Sequence, residues 1–316
     1  MRYAMMIEPQ QGLSYDEILA VALAAERAGI ETFFRSDHYS SFPEAGLPTT
    51  DAWATTAGLA RDTSTIRLGV LVSPVTFRLP GPLAKTAATV HEMSGGRVEV
   101  GLGAGWHEGE SRQFGIPFPP IRERLDMLEE QVTIVRGLWS QPPGWSFQGK
   151  HYQVENALFE PRPDAAGRPP IHLIMGGDGK PRSCRVAAEH ADEYDVVFAT
   201  PERARTAFDG VRKACEARGR DADELVYSAL CGVLIGADET EYRRRQSRQD
   251  EVLGPEAVGV EPPEDRADRW LLGTPEAALE RVAALEAAGV QRIVLHNYLP
   301  EDLDMIQLIG ERMVRP

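Results

Sequence analysis

Apolar and polar residues along the chain form a repeating pattern, in which a short apolar run is followed by a stretch with helical periodicity. Residues 66–72 and 98–102 are two such runs, and the segment between them looks amphipathic. Its apolar residues recur every three or four positions: Leu83, Ala87, Val90 and Met93. Gly95 and Gly96 follow where a helix would end. A crossover of this length joins parallel strands, so the pattern predicts a strand–helix–strand unit.

The same alternation continues from the first residues to the last. It predicts strands over residues 2–7, 32–35, 66–72, 98–102, 171–175, 194–198, 226–235 and 292–296. It predicts helices over residues 15–28, 51–61, 83–93, 122–139, 181–190, 201–218, 239–251, 275–288 and 301–313. About eight strands, each backed by a helix, are the number that closes a parallel barrel. We therefore expect an α/β fold, the (β/α)8 or TIM barrel. An open doubly wound sheet is the alternative, although no GxGxxG motif follows the first strand.

Two segments interrupt this alternation and predict insertions into one domain that spans residues 1–316. Near residues 140–170 the periodicity gives way to aromatic, proline and glycine residues, and residues 145–152 have the character of a small hairpin. Near residues 251–270 the chain is rich in proline, glycine and acidic residues, which indicates a loop over residues 253–268.

Charge and composition narrow the range of partners. The net charge of -14 is unfavourable for nucleic acid and for anionic lipid. No apolar run approaches the roughly 20 residues of a membrane helix, and the apolar start of the chain is too short for a signal peptide, so we expect a cytoplasmic protein without membrane contact. The three cysteines lack CxxC spacing, which favours neither disulfides nor a zinc site. We expect no metal.

Polar residues follow several predicted strands, and the carboxyl ends of barrel strands meet at one mouth. The residues in question are Glu8, Asp37, His38, residues 73–78, 103–108 and 176–180, His296 and Asn297. Neither GxSxG nor HExxH occurs among them, and no carboxylate pair has metal-ligand spacing. A barrel hydrolase is therefore the weakest of the possible functions.

A glycine-rich turn at residues 176–179 leads directly into a predicted helix. Backbone N–H groups at such a turn hold a phosphate, and Lys180 or Arg182 would add positive charge. The alternative is that the glycines meet only a steric need. The sequence favours a phosphate site over that alternative.

His38 follows Asp37 at a strand end, where a histidine serves as acid or base near neutral pH, or as a hydrogen-bonded structural residue. An X–Pro bond in Val72-Ser73-Pro74 has a low cost for the cis form, and a bulge there would press against a flat ring. Aromatic residues available to wall such a pocket are Tyr39, Phe77 and Trp106.

In these residues and several longer motifs, the chain resembles the bacterial luciferase-like monooxygenase superfamily, most closely its F420-dependent oxidoreductase branch. The resemblance covers most of the chain, and the run SGGR followed by GLGAGW is its most specific part. It is carried by residues 36–38, 68–80, 83–85, 94–97, 101–106, 114–117, 122–124, 174–179 and 187–192.

The resemblance implies a barrel with a cofactor across its mouth and a cis peptide within residues 71–74. It implies catalytic or substrate-facing roles for His38 and Glu8, to which we add His107 as a second proton donor. It implies a cofactor site that includes Asp37, Val72, Ser73, Pro74, Thr76, Gly105, His107, Gly176, Gly177 and Lys180.

The implied reaction is hydride transfer between F420 and a small organic substrate, with His38 as acid or base, in an enzyme that we expect to be a homodimer. FMN is the alternative cofactor and would permit monooxygenation with a separate flavin reductase. A binder that has lost its chemistry is a further alternative. Two departures from the family are Ala104, where several dehydrogenases carry glutamate, and His107, where asparagine is common. Asp178 interrupts the glycine turn.

Overall fold

The computed structural model describes residues 1–43, 45–254 and 263–315, and its centre is a ring of parallel strands. In chain order the described strands are β1 (Arg2–Ile7), β2 (Thr32–Arg35), β3 (Arg67–Pro74), β4 (Val98–Gly103), β5 (Trp145–Gln148), β6 (Gln153–Ala157), β7 (His172–Gly176), β8 (Glu193–Val197), β9 (Val226–Ile235), β10 (Leu271–Gly273) and β11 (Arg292–Asn297). The barrel runs β1-β2-β3-β4-β7-β8-β9-β11, and β11 pairs with β1 to close it. This closure confirms the predicted (β/α)8 barrel and excludes the open sheet.

Helices follow the barrel strands, and the long ones pack outside them. They are α1 (Tyr15–Ala28), α2 (Ala52–Asp62), α3 (Pro80–Met93), α4 (Glu108–Gln113), α5 (Ile121–Ser140), α6 (Pro181–His190), α7 (Pro201–Glu216), α8 (Glu239–Leu253), α9 (Pro263–Arg269), α10 (Pro275–Ala287) and α11 (Leu303–Ile309). The last predicted helix is shorter than expected, because α11 gives way to a π-helical turn over Gly310–Val314. Among the described residues, no helix combines the length and apolar character needed to cross a bilayer.

Local sequence explains where these helices begin and end. Ser14 and Glu17 form a reciprocal capping box at the start of α1, and Gly29 ends the helix at φ +79°. Between these caps Ile18, Val21 and Ala25 face the barrel and are buried. Burying this apolar stripe against the outer faces of the strands is what stabilises each strand–helix unit.

The first predicted insertion contains the expected hairpin. Strands β5 and β6 pair antiparallel, with Phe147 opposite Val154. In the second predicted insertion, near residues 251–270, residues 255–262 lie outside the described residues. From residue 263 the expected loop is instead helix α9, which starts with a proline, and short strand β10 adds to the edge of β9.

A buried ionic network fills the end of the barrel where the strands begin. The Nη1 atom of Arg292 donates to Oε2 of Glu99 at 2.9 Å and to Oε2 of Glu193 at 2.8 Å, and all three residues are buried. Burial alone would raise the pKa of Glu99, but the charges of Arg292, His172 and Arg67 lower it to about 2. Ligand atoms of Glu99, His172 and Glu193 lie within 4.8 Å of one another. The positive charge beside these two carboxylates comes from Arg292, with Arg67 bonded to Glu99 and His172 bonded to Glu193.

Candidate active site

A cavity opens at the carboxyl ends of the strands, where the sequence placed the candidate chemistry. The volume of the cavity is about 280 Å³. Its apolar floor includes Met6, Leu71, Ile174 and Leu230, which belong to a small cluster inside the barrel. The predicted site residues that line it are Glu8, Asp37, His38, Val72, Pro74, Thr76, Gly105, His107 and Gly176.

His38 and Glu110 form a buried pair on the wall of this cavity. The Nδ1 atom of His38 lies 2.7 Å from Oε1 of Glu110, whose other oxygen accepts the Tyr39 N–H at 2.9 Å. Burial would lower the pKa of His38, but the hydrogen bond to Glu110 and the charge of Glu8 raise it above its usual 6.5. Because Nδ1 of His38 is bonded to Glu110, Nε2 is the ring nitrogen that remains available to a ligand.

Glu8 lies in a second hydrogen-bonded chain on the same cavity. Its Oε1 is 2.8 Å from Nε2 of His296, and Nδ1 of His296 is 2.9 Å from the Tyr298 hydroxyl. Gln10 donates to the other oxygen of Glu8 at 2.6 Å. Burial raises the pKa of Glu8 by itself, but the bond and charge of His296 reverse the effect and lower it to about 2. Glu8 is therefore a carboxylate at neutral pH.

Asp37 is held by two side chains, Arg78 and Ser73. Arg78 binds both of its oxygens and also bonds Asp51 at 2.6 Å. The Ser73 hydroxyl donates to Asp37 at 2.9 Å and accepts the Trp53 indole N–H at 2.9 Å. Burial raises the pKa of Asp37, although Arg78 and Ser73 act in the opposite direction. Ser73 thus lies beneath the cavity surface, fully buried, and positions Asp37.

The predicted bulge after the third strand is present. The cis peptide joins Leu71 and Val72, within the expected residues 71–74 but not at the X–Pro bond between Ser73 and Pro74 that the sequence favoured, and the register of β3 against β4 shifts between Val70 and Ser73. Both Val72 and Pro74 reach the cavity. A Cβ at Gly103 would lie 2.5 Å from a methyl of Val72, so this ridge requires a glycine on the neighbouring strand.

His107 caps the short helix α4, which the sequence did not predict. Its Nδ1 accepts the Glu110 N–H at 3.2 Å, so in the neutral ring the proton resides on Nε2. His107 lies close to His38, with ring centroids 6.3 Å apart. The cap therefore positions both His107 and Glu110 on the cavity.

The glycine turn is only partly on the cavity. Gly176 lines it, whereas Gly177 and Lys180 are not part of the lining. The Gly177 N–H donates to the Asp195 carbonyl oxygen at 3.1 Å, and the Gly179 N–H donates to the Tyr194 hydroxyl at 3.1 Å. Lys180 is exposed and directly precedes α6. A phosphate at this turn would meet the first free N–H groups of α6 and Lys180.

Comparison with known proteins agrees with this geometry. The family model described as luciferase-like monooxygenase matches residues 1–292. The chain belongs to the luciferase-like monooxygenase family.

Relatives of this luciferase-like protein include both F420-dependent and FMNH2-dependent enzymes. It is 28% identical to the F420-dependent glucose-6-phosphate dehydrogenase of Nakamurella multipartita, over 94% of this chain and 91% of that protein. It is also 28% identical to the FMNH2-dependent dimethylsulfone monooxygenase of Pseudomonas putida, over 70% and 68%. A solved F420-dependent secondary alcohol dehydrogenase, in complex with an F420-acetone adduct, superposes with a TM-score of 0.83 at 20% identity, over 99% of this chain and 98% of that one. That structure establishes the shared fold.

Two of the four carboxylates that line the cavity of this luciferase-like chain were not predicted from the sequence. Glu110 pairs with His38 from a helix of six residues, too short to show periodicity. Asp195 lines the cavity from β8 and accepts a hydrogen bond from Ser228 at 2.9 Å. Burial, reinforced by the charge of Glu193, raises the pKa of Asp195 to about 7. The alternation of Glu193, Asp195 and Val197 was the available signal, since it puts all three on one face of the strand.

Proposed function

We propose that this protein is an F420-dependent oxidoreductase, which moves a hydride between the deazaflavin and a small organic substrate. The observation that carries the proposal is His38, whose pKa is raised by Glu110, on a cavity backed by the Val72–Pro74 ridge. The F420-dependent dehydrogenases among its relatives, matched over most of their length, support the choice of coenzyme.

The residues present fit a flat tricyclic ring. The ridge at Val72 and Pro74 offers an apolar edge, and the neighbouring Gly103 and Gly105 have no side chain to obstruct it. Deazaflavin chemistry supplies a hydride acceptor or donor at a ring carbon. Asp37, Thr76 and Gly105 are the residues that we assign to hold the ring, and Gly176, Gly177 and Lys180 those that we assign to the phosphate end. Because the Gly177 N–H is bonded to the Asp195 carbonyl oxygen, the charge of Lys180 would supply the attraction there.

The role of His38 follows from its protonation. With Glu110 stabilising the imidazolium at Nδ1, the Nε2 proton is available to a substrate oxygen. In carbonyl reduction His38 gives that proton as the carbon gains a hydride, which leaves an alcohol. In alcohol oxidation the neutral ring accepts the hydroxyl proton. Glu8, fixed by His296 and Gln10, holds a negative charge near His38, and His107 is proposed as a second donor.

An FMN-dependent monooxygenase that works with a separate reductase is the second candidate. The observation that favours it is the 28% identity to a dimethylsulfone monooxygenase that uses FMNH2. The same ridge and glycines accommodate either ring, since both are flat and tricyclic.

Titration of the purified protein with each coenzyme separates the two candidates. We expect F420 to bind with a shift in its absorbance and a stabilisation against heat, and FMN to bind more weakly. Tighter binding of FMN, with oxygen-dependent turnover when a flavin reductase is added, would replace the proposal by the second candidate. No response to either coenzyme would reject both.

Lys180 provides a test of the proposed phosphate end. A Lys180→Ala variant is expected to bind F420 about fivefold more weakly, which corresponds to the roughly 1 kcal/mol of an exposed ion pair. Lys213→Ala is the matched control, because Lys213 is exposed on α7 and lies outside the cavity lining. Equal affinities of the two variants would remove Lys180 from the coenzyme site.

Glu110→Gln tests the origin of the raised His38 pKa. The amide keeps the shape of Glu110 but loses the negative charge, so we expect the His38 ring to titrate at lower pH than in the wild type. The pair stabilises the fold below the unfolded pKa of histidine, and this contribution disappears as pH rises through the folded pKa. NMR of the His38 ring protons measures the shift without any substrate. Glu108→Gln, an exposed neighbour on α4, should leave the titration unchanged.

We also propose, from the family resemblance alone, that the protein acts as a homodimer in the cytoplasm. Sedimentation of the purified chain tests the dimer, and fractionation of its native host tests the location.

A further inference from the structure

The cavity carries an unusual balance of charge. Its described lining contains four carboxylates, three histidines and no lysine or arginine; the ionisable residues are Glu8, Asp37, Glu110, Asp195, His38, His107 and His296. The residues that are not described include glutamates but no lysine or arginine. Arg78 lies behind Asp37, where Asp37 and Asp51 share its charge. A phosphate group placed here would lose its water and meet four carboxylates without a lysine or arginine to bind it, because the one imidazolium argued above, that of His38, is already paired with Glu110.

Asp195 differs from the other carboxylates of the cavity. Glu8 bonds His296, Asp37 bonds Arg78 and Glu110 bonds His38, so each has a cationic or ionisable partner. Asp195 is 3% exposed and accepts a hydrogen bond from the Ser228 hydroxyl at 2.9 Å. No lysine, arginine or histidine of the described chain forms an ion pair with it. The side chain therefore lies buried on the cavity wall with bonding capacity that the described residues leave unused.

We propose that the substrate is an apolar molecule without a phosphate group, which presents a hydroxyl or amino hydrogen to Asp195. This inference rests on the proposed function, since it concerns the substrate of that same cavity. Asp195 is thus a specificity-determining contact. The apolar body of the substrate would pack on Leu71, Ile174 and Leu230, which share the cavity with Asp195.

Burial and the nearby charge of Glu193 raise the pKa of Asp195 to about 7, which agrees with a group that lacks a cation. A bound ammonium or hydroxyl would satisfy the carboxylate directly. An anionic ligand would instead place a further negative charge beside Asp195, with which no lysine, arginine or histidine of the described chain forms an ion pair.

Three probes with one carbon frame test the proposal: 2-phenylethanol, 2-phenylethylamine and 2-phenylethyl phosphate. Their affinities for the F420-loaded protein are measured by calorimetry, which needs no turnover. We expect the alcohol and the amine to bind at least tenfold more tightly than the phosphate, and glucose 6-phosphate to give no turnover. In Asp195→Asn the amine should lose about tenfold in affinity. Asp209→Asn, the same change at an exposed position on α7, should alter none of the three.

Phosphate binding as tight as that of the amine, binding of none of the probes, or an unchanged ranking in Asp195→Asn would each overturn the inference. The same titrations on coenzyme-free protein separate it from the proposed function. If F420 fails to bind while the probe ranking persists, the proposed function is wrong, and what remains is the preference of the cavity for a ligand without a phosphate group. If F420 binds normally and the probe ranking is absent, the proposed function stands and this inference is wrong.

Discussion

A His38→Ala variant is expected to bind F420 within about threefold of wild type and to lose about 10² to 10⁴ in turnover, the usual contribution of a positioned acid or base. The physical reason is that Nδ1 of His38 is engaged by Glu110, while Nε2 is left for the reacting oxygen. Turnover is measured with the best substrate from a panel of small alcohols and ketones, and F420 affinity by spectral titration. Added imidazole should restore part of the lost rate.

Controls for this variant separate chemistry from folding. His38→Ala leaves the buried Glu110 without its ionic partner, so His38→Gln, whose amide N–H groups reach towards Glu110, is the gentler replacement. His151→Ala makes the same truncation in the hairpin insertion and should keep full turnover. Full turnover in both His38 variants would remove His38 from the reaction. A loss of F420 binding in both would make it a structural or coenzyme-binding residue.

Arg292→Met is expected to lower the free energy of unfolding by about 3–5 kcal/mol, because it removes the buried cation that Glu99 and Glu193 share and leaves them only the partly exposed Arg67 and His172. Glu99 has a pKa lowered to about 2 in the folded protein, so its ionic contribution is present above the unfolded carboxyl pKa and disappears as pH falls through the folded one. The loss in Arg292→Met should therefore be larger at pH 7 than at pH 4. Urea unfolding at both pH values measures it.

Arg248→Met is the matched control for the barrel base. Arg248 and Glu301 form an exposed pair at 3.0 Å, so its removal should cost about 0–1 kcal/mol. If the two variants lose equal stability, the buried network contributes no more than a surface ion pair.

Much of the site was predictable because barrel topology converts positions along the chain into positions in space. Glu8, Asp37, His38 and Gly105 all follow strands, and parallel strands deliver their carboxyl ends to one mouth. The same rule explains why Asp195 was missed. It lies inside a strand rather than after it, and only its inward direction within the closed barrel brings it to the cavity.

The phosphate prediction shows a different limit. A glycine turn before a helix has the composition of an anion site, but composition does not say which N–H groups are free. Here the Gly177 N–H bonds the Asp195 carbonyl across to β8, and the Gly179 N–H bonds Tyr194. These hydrogen bonds join residues that are distant along the chain, so no local sequence pattern predicts them.

By itself the sequence determined the barrel, its alternation of strands and helices and many of the residues at the mouth, because hydrophobic periodicity and capping residues act over a few positions. Tertiary structure alone decided which groups are paired: Glu110 with His38, His296 with Glu8, and Arg292 with two acids at the base. Protonation depends on burial and on charges within a few ångströms. Burial and nearby charges are set by the folded structure, which brings together residues as distant in sequence as Glu8 and His296.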